Sequence, residues 1–482
     1  MVFSSLLFIF GFLPVFLLCY YLVPKHWKNS VALLGSYFFY AWGEPVFAMI
    51  LFGSSILDYI LSRLLGNLGH NNSFRRKSLL LASILLNLGF LAYFKYANFF
   101  VNQFNNFLGL VGDNPLSWRE VTLPIGISFF TFQKLSYMID LYRGIVKPAR
   151  SFLSYALYVV LFPQLIAGPI VRYHDVAQQL EHRTHSGKKF TEGMWRFSLG
   201  LAKKSLIANT MGGVADWAFD PHISTLPMWF AWIGVLAYSF QIYFDFSGYS
   251  DMAIGLGRMM GFEFLENFNR PYTAVNFTDF WRRWHISLSN WFREYLYVPL
   301  GGNKCSSFRS YLNLWIVFLC SGLWHGASWT FVAWGAFHGF FLTVDKILYK
   351  YQGATLRLPV FMARLKTFFL VTVGWVFFRC ETFHHAFQYF RHLTDFSTIQ
   401  VFSLPPQWVS LFEHRTVVIF LLASLFVFWF PNQTRFDTLS MSSVSIGKLT
   451  TFLKPALALI LLSLSICSLV NIDFNPFIYF RF

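Results

Sequence analysis

The sequence predicts an all-α membrane protein whose helices cross the bilayer many times. Of its 482 residues, 56% are hydrophobic, 21% aromatic and only 12% charged, whereas soluble domains carry about 25% charged residues. The 61 phenylalanines and 17 tryptophans fit lipid-facing helices with aromatic belts at the membrane interfaces. The composition therefore excludes an ordinary soluble enzyme.

Apolar runs of about 20 residues, long enough to cross about 30 Å of hydrocarbon, indicate the spans. These runs begin near Val2, Leu79, Leu153, Leu226, Thr330, Lys366, Thr416 and Thr451. With shorter and interrupted runs added, we expect roughly ten to twelve crossings in one membrane domain over residues 1–482. The first run lacks a preceding basic residue and a small-residue cleavage motif, which favours a retained helix over a signal peptide.

Two apolar runs contain polar breaks. One is interrupted by Trp42-Gly43-Glu44-Pro45, and the run "LPIGISFFTFQKLSYMI" carries Gln133 and Lys134. Broken, polar segments at membrane depth are tolerated only where they are buried in protein or line a water-filled cavity. We therefore expect the helices to surround a cavity.

The charge pattern argues against a nucleic-acid partner and for the lipid bilayer as the surrounding medium. The net charge is +16, but the basic residues lie in short loops between apolar runs, as the positive-inside rule predicts for cytoplasmic loops. They lack the clustered footprint that nucleic-acid binding needs. The five cysteines form no C-x-x-C pair, so neither a metal site nor a disulfide framework is indicated.

One segment, residues 277–297, has the pattern of an amphipathic interfacial helix. Its apolar side chains fall within an arc of roughly 120° at about 100° per residue, whereas Asn290 and Arg293 lie outside that arc and His285 lies at its edge. A turn signal at residues 301–303 and a short apolar run follow, so we expect re-entrant segments over residues 301–326.

That short run ends in "GLWHG", which places His325 in a segment apolar enough for lipid. An ionisable group at membrane depth is costly and is usually functional. The sequence leaves open whether His285 and His325 approach each other. Upstream, Gln241, Tyr249 and Asp251 mark a second polar stretch, which either lines a cavity or holds helices together.

Several motifs together resemble the membrane-bound O-acyltransferase family, in its bacterial alginate O-acetyltransferase-like branch. They are "SYFFYAWGEP", "LIAGPIVRY", "FDFSGYSDMAIGLG", "FWRRWHISLSNWFREYLYVPLGGNK" and "GLWHGASWTFVAWGAFHG", with the N-terminal apolar stretch before them. The resemblance covers residues 1 to about 345 and is less distinct through the C-terminal helices. The fold it implies is a ring of helices with a thinned centre, a funnel and a tunnel.

The resemblance also implies an active site. It gives the catalytic role to His325 and a second role to His285, which would position the donor or relay a proton. We assign Trp324, Asn290, Arg293, Asp251, Gln241 and Tyr249 as candidate donor-binding or tunnel-lining residues. No metal site is expected.

The implied reaction moves an acetyl group across the membrane. A neutral imidazole can take a proton from an attacking hydroxyl, although histidine can also act as a covalent nucleophile. The donor would be cytosolic acetyl-CoA or a carrier-bound thioester, with no permanently bound cofactor. The acceptor would be an extracytoplasmic polysaccharide, or a periplasmic or membrane-anchored esterase-like partner, at the bacterial cytoplasmic (inner) membrane.

The alternative from another class is a transporter that flips a lipid-linked sugar or a small anion. Such a protein would share the broken helices and the polar midplane. However, the inverted repeats common in transporters and a phosphate-binding G-x-x-x-x-G-K-[ST] loop are not visible in the sequence. Consumption of a thioester would distinguish an acyltransferase from a transporter.

Overall fold

The computed structural model describes residues 1–69, 72–223, 226–352, 358–399, 413–429, 444–470 and 478. Every regular element within these ranges is helical, which confirms the all-α prediction. The α-helices are α1 (Leu13–Leu22), α2 (Lys28–Ala41), α3 (Pro45–Asn67), α4 (Ser73–Leu110), α5 (Ile127–Arg143), α6 (Phe152–Val160), α7 (Phe162–Leu165), α8 (Tyr173–Glu181), α9 (Gly187–Ala202), α10 (Asn209–Ala218), α11 (Met228–Met259), α12 (Phe277–Trp281), α13 (Ile286–Phe292), α14 (Ser307–His325), α15 (Trp329–Gln352), α16 (Val360–Arg379), α17 (Phe383–Leu393), α18 (His414–Phe428) and α19 (Val444–Val470). The described π-helical segments are Leu7–Phe12, Lys203–Ala208 and Arg293–Tyr297, and the 3₁₀ turns are Lys25–Trp27, Pro271–Thr273 and Phe396–Thr398.

Five helical segments in the described part of the chain are long and apolar enough to cross a bilayer. They are Pro45–Asn67, Ser73–Leu110, Trp329–Lys350, Val360–Arg379 and Leu453–Val470. Leu7–Leu22 and His414–Phe428 are shorter apolar segments. The protein is therefore a multi-pass membrane protein, while the total of ten to twelve crossings and the ring around a thinned centre stay predictions.

One expected span is shorter than its apolar run. The run near Leu153 forms α6, which ends at Val160 after nine residues. Leu161 is not helical, and the next helix begins with Phe162 and Pro163. Proline lacks the backbone N–H that a continuing helix needs and clashes with the preceding turn, so hydropathy alone overestimates this helix.

The helices form two compact units. One contains Met1–Gly193 and Ala253–Leu265, and the other contains Met194–Met252 and Glu266–Phe482. In the first unit, buried phenylalanines form much of the core. The ring centroid of Phe162 lies 5.4 Å from that of Phe12 and 5.4 Å from that of Phe39.

The break at residues 42–45 is a real helix end in the first unit, whereas Gln133 and Lys134 lie inside α5, whose start lies further upstream. Helix α2 ends at Ala41, and α3 begins at Pro45, a position where proline's missing N–H needs no partner. Helix α5 begins after Gly126, whose φ is 79°. A Cβ on Gly126 would lie 2.8 Å from the Leu165 carbonyl oxygen, so both conformation and space favour glycine there.

Lys134 of α5 is buried and forms polar contacts with α3. The Lys134 ammonium lies 3.5 Å from an Asp58 carboxylate oxygen and donates to Ser54 Oγ at 2.7 Å. Asp58 also accepts hydrogen bonds from Ser83 and Asn87, each at 2.9 Å. These groups are paired within the protein, as polar residues at membrane depth must be.

Candidate active site

His325 is the last residue of α14 in the second unit and is almost completely buried, with 3% of its surface exposed. Three aromatic side chains contact its imidazole. The ring centroids of Trp324, Trp334 and Phe378 lie 5.0, 4.9 and 5.1 Å from that of His325. The imidazole therefore lies in a largely apolar environment, where electrostatic interactions are stronger than in water.

Glycines allow α14 and α15 to approach closely enough to build this environment. A Cβ on Gly322 would lie 2.3 Å from the Phe331 carbonyl oxygen, and one on Gly335 would lie 2.3 Å from the Phe318 carbonyl oxygen. A Cβ on Gly326 would lie 2.2 Å from the Phe331 ring. The two glycines of the "GLWHG" stretch thus serve close packing around the histidine between them.

Replacing Gly322 by alanine should push α15 away from α14 and displace Trp334 from His325. Overpacking of this kind costs about 1–3 kcal/mol, so we expect a lower unfolding temperature together with a loss of activity. Thermal unfolding and turnover in detergent measure both effects. Gly339→Ala on α15 is the matched control, because its Cβ would lie at an ordinary 3.4 Å from Phe318 Cβ; equal behaviour of the two variants would refute the packing argument.

The segment that carries His285 is not the continuous amphipathic helix predicted for residues 277–297. It contains α12, a break, α13 and the π-helical segment Arg293–Tyr297. The break includes His285, which has left-handed backbone angles of φ 42° and ψ 56°. A left-handed residue cannot continue a right-handed helix. The prediction of one continuous helix, which was based on periodicity, is therefore wrong at His285.

His285 is completely buried, with 0% of its surface exposed, and is held by hydrogen bonds to Asn267 and Ser287. It lies outside the helical segments that are long enough to cross a bilayer. Burial lowers the pKa of the His285 imidazole, since a charged ring would be poorly solvated there. The ring is therefore neutral near neutral pH.

The structure brings the two histidines to the same tryptophan, which answers the question that the sequence leaves open. The Trp324 ring centroid lies 6.0 Å from that of His285 and 5.0 Å from that of His325. Both contacts have edge-to-face geometry, which aromatic rings favour. Trp324 is thus the side chain that joins the two candidate catalytic groups.

A third buried histidine, His338, was not singled out from the sequence. It is 0% exposed, and its Nδ1 accepts a hydrogen bond from Trp281 Nε1 at 3.2 Å. Its ring centroid lies 4.7 Å from that of Trp334, the tryptophan that also contacts His325. The available signal was the placement of His338 within the apolar helix α15, where an ionisable residue needs a reason.

Asp251, assigned to the donor path or tunnel, takes part in a buried ion network. Its carboxylate lies 2.6 Å from Arg196 and 2.6 Å from Lys203, and Arg196 also pairs with Glu266. Two cations already engage this carboxylate. The contacts therefore support helix packing as its role, the alternative that the sequence left open.

The remaining assigned residues lie on α11, on α13 and in the π-helical segment. Tyr249 is buried in α11, and Gln241 of the same helix packs against Gly212, where a Cβ would lie 2.7 Å from Gln241 Nε2. Asn290 is partly buried in α13. Arg293 is exposed and pairs with Glu294 at 3.2 Å. Their roles in binding stay predictions.

The fold and this site define a multi-pass, all-α membrane protein in which two buried histidines contact one tryptophan. Residues 145–380 match the membrane-bound O-acyltransferase family. A probable alginate O-acetylase, AlgI, of Pseudomonas putida is 42% identical over the full length of both chains. The chain therefore belongs to the membrane-bound O-acyltransferase family.

Two further relatives agree with this assignment. A probable alginate O-acetylase, AlgI, of Pseudomonas aeruginosa is 45% identical over 84% of this chain and 77% of its own length. A peptidoglycan O-acetyltransferase of Helicobacter pylori is 37% identical over 83% of this chain and 81% of its own length. The protein is an acyltransferase, and the transporter alternative is set aside.

Proposed function

We propose that this enzyme transfers an acetyl group from cytosolic acetyl-CoA to a hydroxyl group outside the cytoplasmic membrane. The acceptor is an extracytoplasmic polysaccharide, or a periplasmic or membrane-anchored esterase-like partner that completes the transfer. The observation that carries the proposal is the placement of His285 and His325 against Trp324, both buried and 6.0 and 5.0 Å from its ring centroid.

The chemistry assigns His325 as general base. Its neutral imidazole takes the proton of the acceptor hydroxyl as the oxygen attacks the thioester carbonyl carbon. The tetrahedral intermediate collapses with cleavage of the carbon–sulfur bond, and the imidazolium returns the proton to the leaving thiolate. His285 positions the thioester or relays this proton. The surrounding rings of Trp324, Trp334 and Phe378 limit access of water, which would otherwise hydrolyse the thioester.

The proposed acceptor follows from the chemistry shared by the relatives. Their names describe O-acetylation of alginate and of peptidoglycan, and both are glycans that present hydroxyl groups outside the cytoplasm. Acetyl-CoA is cytosolic, so the acetyl group must pass the membrane without its carrier. A multi-pass protein with its catalytic histidines buried between helices suits that task better than an interfacial enzyme.

The test is donor consumption by the purified protein in detergent with acetyl-labelled acetyl-CoA and an unacetylated mannuronate polymer. We expect release of CoA and appearance of label on the polymer or on an added esterase-like partner. A carrier protein that bears an acetyl thioester is tested in parallel as the alternative donor. Use of the carrier thioester alone would overturn acetyl-CoA as donor, and consumption of neither donor with any acceptor would overturn the proposed reaction.

A further inference from the structure

Asn267 and His285 form a buried pair in the second unit. Both side chains have 0% of their surface exposed, and Asn267 Oδ1 lies 3.1 Å from His285 Nδ1. The same oxygen accepts hydrogen bonds from the Ser287 backbone N–H at 3.2 Å and from the Ser287 hydroxyl at 2.8 Å. Three polar groups therefore converge on one amide oxygen.

The backbone contact determines which way the Asn267 amide faces. A backbone N–H can only donate, so the atom 3.2 Å from Ser287 N has to be the oxygen. A flipped amide would place its NH₂ group against this N–H and leave two donors facing each other. The contact with the Ser287 backbone N–H therefore fixes the orientation of the Asn267 amide.

This orientation determines the proton position on His285. The amide oxygen has no hydrogen to donate, so an unprotonated Nδ1 at 3.1 Å would place two lone pairs against each other. The Ser287 hydroxyl does not remove this conflict, because it lies 3.5 Å from Nδ1 but 2.8 Å from Asn267 Oδ1. The Nδ1–H tautomer satisfies all three contacts. In functional histidines, the hydrogen bond made by one ring nitrogen often sets the tautomer in this way.

We propose that Asn267 is a positioning residue that holds neutral His285 with its proton on Nδ1, so that Nε2 presents the lone pair to the reaction. The inference rests on the proposed function for the role of His285 and adds the group that sets its tautomer. Nε2 is buried and has no hydrogen-bond partner among the described residues. It is therefore available to accept a proton or a hydrogen bond from substrate.

Asn267 also holds the backbone that aims this ring. Its carbonyl oxygen accepts the Ile286 N–H at 2.9 Å, while Oδ1 accepts the Ser287 N–H, so one residue pairs two N–H groups at the start of α13. His285 itself has left-handed backbone angles, a conformation that costs about 1–2 kcal/mol for residues with a Cβ.

The side chains that contact the His285 ring are uncharged. They are Phe246, Trp324, Asn267 and Ser287, so none of them favours a charged imidazole.

A measurement independent of catalysis tests the tautomer. Nitrogen-15 NMR of histidine-labelled protein, with the His285 signals identified by their loss in His285→Gln, distinguishes a protonated from an unprotonated ring nitrogen. We expect Nδ1 protonated and Nε2 unprotonated in the wild type, and a mixture of tautomers in Asn267→Leu. Protonation on Nε2 in the wild type would overturn the inference, whether or not the protein consumes acetyl-CoA.

The pH profile of turnover tests the positioning role. In Asn267→Asp, a carboxylate beside Nδ1 should raise the pKa of His285 and place a proton on Nε2. We expect turnover to fall about tenfold or more at pH 6 and to recover as the pH rises, a titration that a purely structural defect would not produce. Asn276→Asp is the matched control, because Asn276 caps α12 and aspartate caps equally well.

The outcomes separate the two proposals. An Asn267→Asp profile identical to that of the wild type and of Asn276→Asp would contradict the positioning role. A wild type that consumes neither acetyl-CoA nor the carrier thioester but shows the expected nitrogen-15 signals would overturn the proposed function and leave the assigned tautomer intact.

Discussion

Replacing His325 by alanine is expected to reduce release of CoA from acetyl-CoA by at least about 100-fold, the lower end of what a positioned general base contributes. The variant removes the imidazole from between Trp324, Trp334 and Phe378 but leaves the backbone at the end of α14 unchanged. Its unfolding temperature should change far less than its activity. Initial rates at saturating acetyl-CoA in detergent, with wild type and variant at equal concentration, measure the effect.

His222→Ala is a suitable control, because that histidine is exposed in a loop and should retain full activity. Turnover by His325→Ala within a few-fold of the wild-type rate would exclude the general-base assignment. The same samples distinguish the two mechanisms. Acetyl label that stays on denatured wild-type protein and is missing from His325→Ala indicates a covalent acetyl-histidine, whereas an unlabelled, active wild type supports direct attack by the hydroxyl.

Replacing Asp58 by leucine is expected to destabilise the protein by about 3–5 kcal/mol, the cost of removing one partner of a buried ion pair. The Lys134 side chain is only 1% exposed, and its ammonium would stay buried without the carboxylate that lies 3.5 Å away in the wild type. Ser83 and Asn87 would also lose their shared acceptor. Thermal unfolding in a mild detergent, followed by tryptophan fluorescence, should show a clearly lower midpoint.

The double variant Asp58→Leu with Lys134→Met is the informative comparison. An apolar pair of similar volume leaves no charge unpaired, and such replacements are often neutral or stabilising. We therefore expect the double variant to recover most of the lost stability. Asp58→Leu as stable as the wild type, or a double variant less stable than Asp58→Leu, would contradict the assigned ion pair.

Much of the fold was predictable because membrane proteins follow simple length and composition rules. The apolar runs near Thr330 and Lys366 correspond to spanning segments that begin at Trp329 and Val360, and the break at Pro45 is a helix start. Prediction failed where tertiary contacts override periodicity. The segment 277–297 breaks at left-handed His285, whose backbone is stabilised by Asn267, a residue far outside any helical window.

Some residues of the candidate site were predictable from the sequence, and others were not. His325 was identifiable because an imidazole in an apolar run is costly, and Trp324 was a neighbour in sequence. His338 was not identifiable from the sequence, because one histidine in a spanning helix has many possible explanations. The ion pairs of Asp251 with Arg196 and Lys203 were not predictable either. Ion pairs between distant residues leave no periodic signal.

A multi-pass helical membrane protein with acyltransferase motifs was predictable without a structure, because composition, run length and motif residues are local properties. Three features emerged from the folded chain alone: His285 and His325 contact the same tryptophan, glycines bring α14 and α15 together, and Asn267 faces His285 Nδ1. Most of these contacts join residues separated along the chain, so packing and hydrogen-bond geometry, rather than local preference, select the arrangement.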